Sequence, residues 1–137
     1  MSQRLDITRR LQQRLLEIVR TALPLIPSSF GDADLVGLAH LRIEMVDTIE
    51  AYCRHVHRIP EACTEGPHDG PSTAECLKEG CVALRGAYDA FCERWEHRTA
   101  LNHWYEYRLS AVVMMKQVRD HVRNAEDLTI ARFSKAA

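Results

Sequence analysis

Seven histidines and five cysteines in 137 residues are the side chains with the most chemistry to offer. Imidazoles and thiolates are ligands of zinc and iron, and thiols are also redox groups. Their spacing narrows the options. Cys53, Cys63, Cys76, Cys81 and Cys92 are odd in number and contain no Cys-x-x-Cys pair. An odd set argues against a disulfide framework, and missing paired ligands argue against a zinc finger. The expectation is a cytoplasmic chain with reduced thiols. Cys76 and Cys81 would diverge by about 140° on a helix, so a mutual disulfide is not expected. His40 and Glu44 have i, i+4 spacing, which suits a shared metal or, more simply, a surface pair. His103 and Glu106 are spaced i, i+3 without a matching pair elsewhere. His55 and His57 would point about 200° apart on a helix.

Other chemistries find no footing. Gly-rich phosphate loops, G-x-S-x-G and H-E-x-x-H are missing from the sequence. No nucleophile–base pair is legible, so no enzyme activity is expected. Charge nearly cancels, with 18 Lys and Arg against 19 Asp and Glu for a net −1. That balance argues against coating nucleic acid or a membrane surface, which both call for a basic field. Arg4, Arg9, Arg10, Arg14 and Arg20 do gather near the N-terminus. They form a solvated face or, functionally read, a docking surface for an acidic protein partner. Aromatics interleaved for single-stranded nucleic acid are missing there. MSQRLDITRR lacks the apolar core of a secretory signal, and no run reaches the ~18–20 apolar residues of a membrane span.

Any site must be positioned by helices, because apolar residues recur at steps of three and four throughout. The first helix is expected from about Ser2 to Leu23, with Leu11, Leu15, Ile18 and Ala22 inward and Thr8 and Arg4 continuing the line. Pro24 and Pro27 end it. Asp32 or Asp34 caps a second helix that runs to about His57, with Leu38, Leu41, Met45, Ile49, Tyr52 and Val56 inward. IPEACTEGPHDGPST, carrying Cys63 and His68, reads as a surface loop. Ser72 or Thr73 caps the third helix, and Ser72 with Glu75 has capping-box spacing. Its stripe is Leu77, Cys81, Leu84, Tyr88, Phe91 and Trp95, and it ends near Arg98 or Thr99. His97 near that end would suit the helix dipole. The fourth helix runs from about Leu101 to Ile130, with Leu101, Tyr105, Leu109, Val112, Met115, Val118 and Val122 inward. No strand pattern competes. Four such helices with mostly short connections predict an all-α, antiparallel up-down-up-down four-helix bundle as a single domain.

Two stretches carry a resemblance. LVGLAHLRIEMVDTIEAYCRHVHRIP resembles the second helix of hemerythrin-like (HHE cation-binding) domains, where an L-x-x-L-R-x-E-L run leads into the metal-binding turn. AYDAFCERWEHRTALNHWYEYRLSAVVMMKQVRDHVRNAEDL resembles the third and fourth helices of a bacterial subgroup, through Trp95, Trp104, Arg108, His121 and Glu126. The likeness spans residues 5 to 130 and rests chiefly on the order of all four segments. It implies a non-haem diiron centre in mid-bundle, held by histidines and bridging carboxylates from all four helices. The ligand positions it implies are mostly substituted. Thr8 stands where the first helix has histidine, Tyr52 and Val56 replace a His-x3-Glu pair, and Cys81 replaces an inward histidine. Only His121 and Glu126 keep the expected ligand types.

The resulting expectation is a hemerythrin-like bundle that has lost its metal. It would act without a cofactor as a regulatory or interaction module in bacterial signalling or stress response, through an unidentified protein partner or a homodimer. The alternative is a metal- or oxygen-binding sensor or storage protein. It would keep a reduced mononuclear iron site on His121, Glu126, Cys81 and Tyr52.

Overall fold

A computed structural model describes residues 2–27, 30–58, 73–96 and 102–136, and their long segments are all α-helical. In chain order they are α1 (Ser2–Ala22), α2 (Leu35–His57), α3 (Thr73–Glu96) and α4 (Trp104–Ala136). Two 3₁₀ turns, Leu23–Leu25 and Phe30–Asp32, connect α1 to α2. The described residues include no strand. α1 and α3 each pack against both α2 and α4, closing a ring of four antiparallel helices. The expected loop with Cys63 and His68, the cap at Ser72, and the positions of His97 and Leu101 lie outside the described residues. The side chain of Arg4 does too.

Local chemistry sets the helix ends. Pro24 offers no N–H to continue α1, and the chain tightens so that Ile26 N–H reaches the Leu23 carbonyl at 3.1 Å. Of the two expected caps for α2, Asp34 is the one used. Its Oδ1 accepts the Gly37 N–H at 2.9 Å. A Cβ at Gly37 would stand 2.5 Å from Asp34 Oδ2, so a larger residue there would push the capping carboxylate aside.

The apolar stripes of α1, α2 and α3 turn inward as their spacing predicts. Leu15, Ile18, Met45, Ile49, Leu77 and Leu84 are all buried in one continuous core. Leu11 and Leu41 are half-buried at its edge.

α4 departs from expectation in its first half. Met115, Val118 and Val122 are buried as read. Tyr105, Leu109 and Val112 instead lie outside, at 72%, 47% and 36% exposure. The buried line starts at Trp104 and runs through Ala111 and Met114. Both faces of this stretch are apolar, so hydrophobicity alone does not choose between them. The indole of Trp104 does: it buries, donates Nε1–H to the Pro27 carbonyl at 3.2 Å, and meets Phe30 edge-on. Tyr107, one turn on, packs against the rings of Phe91, Trp95 and Trp104. Trp95 donates to Ser110 Oγ at 3.2 Å and fixes the same phase from α3. α4 also extends to Ala136, beyond Ile130, because no proline or glycine interrupts 131–137.

Candidate functional site

The half of the bundle away from this aromatic cluster holds a buried polar layer. α1 contributes Thr8 and Gln12, one turn apart and each 1% exposed. α2 contributes Tyr52 and Cys53, α3 contributes Cys81, and α4 contributes the half-buried His121. Each lies on the inward side of its helix, so the packing that builds the core also gathers these polar groups.

The rings of Tyr52 and His121 meet edge-on with centroids 5.9 Å apart. His121 lies over α3 at Gly80, where a Cβ would come within 2.8 Å of its Cε1. Glycine at 80 is therefore what admits the imidazole. Burial pushes the Tyr52 phenol well above its ordinary pKa, and Cys81 beside it adds to the effect. Burial also holds His121 below 6.5, favouring the neutral imidazole.

The two thiols are neighbours. Cys53 Sγ donates to the Cys81 carbonyl at 3.4 Å. The neighbouring Cys81 side chain, helped by Arg85, lowers the Cys53 pKa, and the neighbouring Cys53 with burial raises that of Cys81. Gln12 lies beside the Tyr52 hydroxyl without good hydrogen-bond geometry. The Tyr52 hydroxyl, both amide atoms of Gln12 and His121 Nε2 are buried without a well-formed partner.

Of the four candidate ligands, Tyr52, Cys81 and His121 belong to this layer. Glu126 is turned toward α1 at the bundle's edge, where its Oε2 accepts from Gln13 Nε2 at 3.4 Å. A diiron bundle needs several imidazoles and bridging carboxylates converging from its helices. This layer offers one imidazole and no carboxylate, so its donor set does not fit such a centre. Among the described residues, no three His, Cys, Asp or Glu side chains are grouped to hold a metal. Val56, at another expected ligand position, is fully buried and has no donor atom.

The remaining candidates are on the surface. His40 is exposed, and its expected companion Glu44 pairs with Arg14 of α1 instead. Arg14 also bridges Glu17 at 3.1 Å. His103 is exposed, and Glu106 meets Arg94 at 3.9 Å. Arg9, Arg10 and Arg20 are solvated.

Spacing alone does not single out Gln12 and Cys53. The signal for Gln12 was present in the run Thr8, Gln12, Leu15, Val19, Ala22, which steps by four and three. Cys53 follows Ile49 and precedes Val56 in the same rhythm.

A second feature lies outside. Tyr105, Leu109 and Val113 project from one face of α4 at i, i+4 and i+8, with Val112 beside them. Next to this stripe, α3 and α4 frame a groove of about 520 Å³ that includes Phe91, Leu109, Val113 and Met114, with Arg94 and Glu106 at its edge. No described helix is long and apolar enough to cross a membrane. Comparison with known proteins yields no match among family models, curated proteins or solved structures.

Proposed function

We propose that this chain is a non-enzymatic, hemerythrin-like interaction module that works through the outer face of α4, and that the occupant of this face is a second copy. The carrying observation is the Tyr105–Leu109–Val113 stripe, three large apolar side chains held outward on a helix whose opposite face already fills the core. A two-fold axis beside Leu109 would set antiparallel α4 helices together, with Tyr105 against Val113 of the other copy. Arg94 and Glu106, neighbours at the groove edge, would then meet their opposites reciprocally, as an isologous interface requires. The polar layer supports the same reading from inside. Its ligand positions are held by Thr8, Tyr52, Val56 and Cys81, side chains that pack where ligands would bind.

Sedimentation across a range of concentrations tests the proposal. The wild-type chain is expected to dimerise, and Leu109→Lys with Val113→Asp to give monomers with unchanged helical circular dichroism. A wild-type chain that stays monomeric throughout would overturn it.

The orphaned polar atoms of Gln12, Tyr52 and His121 favour a second reading, a reduced metal or oxygen sensor. Elemental analysis of protein purified without chelators separates the two. Near-stoichiometric metal that is lost in His121→Ala would replace the first reading with the second.

A further inference from the structure

Cys53 and Cys81 stand on facing positions of neighbouring helices. Cys53 Sγ donates to the backbone oxygen of Cys81 at 3.4 Å, which brings the two residues side by side across α2 and α3. Both are free, as are Cys76 and Cys92. A groove of about 520 Å³ between α2 and α3 opens over the pair, lined also by Arg54, His57, Arg85 and Asp89. Cys53 retains 5% exposure there, whereas Cys81 is fully enclosed. The two thiols are therefore unequal: one reachable by a small reagent, the other held behind it. Such an arrangement suits an attacked thiol and a resolving thiol.

We propose that Cys53 and Cys81 are a peroxide-oxidised dithiol that closes to a disulfide between α2 and α3. The oxidant is hydrogen peroxide entering from the groove. The Cys53 thiolate attacks one peroxide oxygen; an S–O bond forms, the O–O bond breaks, and hydroxide leaves to take up the proton that Cys53 lost. Sulfur is oxidised by two electrons to the sulfenic acid and the peroxide is reduced. Cys81 then attacks the Cys53 sulfur. The S–S bond forms, the S–O bond breaks, and the hydroxyl leaves as water with the Cys81 proton. Two thiols and one peroxide thus give one disulfide and two waters. The cationic Arg85 guanidinium on the same groove favours the anionic attacking sulfur. In a reducing compartment the bond would be transient, as redox-responsive disulfides are. This inference does not depend on self-association through α4.

Peptide mapping of the full chain tests it. The reduced protein is treated with a small excess of hydrogen peroxide, alkylated, and digested without reductant. The expected product is a Cys53–Cys81 cross-linked peptide lighter by two hydrogens than the reduced pair, and it disappears on adding dithiothreitol. The same cross-link should form in a variant with Cys63, Cys76 and Cys92 replaced by serine. In Cys81→Ala, a 1,3-dione reagent should trap sulfenic acid at Cys53. Wild-type protein in which both cysteines are still alkylated would overturn the proposal. So would Cys53 oxidised to sulfinic acid while Cys81 stays free, or a cross-link that joins other cysteines.

Discussion

His121 carries the clearest consequence at the scale of one residue. Its half-buried ring rests against Tyr52 and Gly80, and this burial holds its pKa below the unfolded value of 6.5. The folded protein therefore binds fewer protons than the unfolded chain between those two values. The stability this contributes is fully present above 6.5 and is lost as pH falls through the depressed folded value. Urea unfolding at about pH 8 and about pH 5 should show a larger loss in the wild type than in His121→Gln, since His is the group that titrates there. Equal losses would contradict a half-buried imidazole held neutral. Gly80 supplies a companion test. A Cβ at 80 would stand 2.8 Å from the ring, so Gly80→Ala should shift the His121 Cε1–H resonance and leave those of exposed His40 and His103 in place.

At the scale of the element, caps and aromatic anchors decide what periodicity leaves open. Asp34→Ala removes the acceptor for Gly37 N–H and should cost about 1 kcal/mol in chemical denaturation. Trp104→Ala removes a buried indole and its hydrogen bond to Pro27, with an expected cost of about 3–5 kcal/mol. These two residues also mark where the sequence was and was not legible. Asp34 is readable as a cap because its type and place before an apolar stripe suffice. The phase of early α4 is not readable from spacing, because Tyr105, Leu109 and Val112 make as good a stripe as Trp104, Ala111 and Met114. Contacts of Trp104 with Pro27 and Phe30, more than 70 residues away in sequence, and of Trp95 with Ser110 settle it. By contrast, the six-residue stripe from Leu77 to Trp95 has no apolar rival on α3, and all six are buried.

The whole molecule is legible as a bundle because four amphipathic helices have few ways to hide their stripes. The candidate site is legible in part. Inward spacing places Thr8, Tyr52, Val56 and Cys81 in the core, where each is found. The same spacing does not show that Glu126 turns to Gln13, since this depends on which side of α4 faces α1. One prediction belongs at this scale. If α4 joins two copies, unfolding is coupled to dissociation, and the melting temperature should rise with protein concentration. In Leu109→Lys with Val113→Asp it should be independent of concentration.

The two ends of the bundle are chemically unlike. Trp95 and Trp104 both lie in the cluster around Tyr107, while Cys53, Cys81 and His121 share the opposite half. The intrinsic tryptophan fluorescence of this protein therefore watches one end alone. An opening confined to the end with Cys53 and Cys81 would leave the emission spectrum unmoved while amide hydrogens there exchange with solvent. In this molecule a steady optical signal and a reactive interior are compatible.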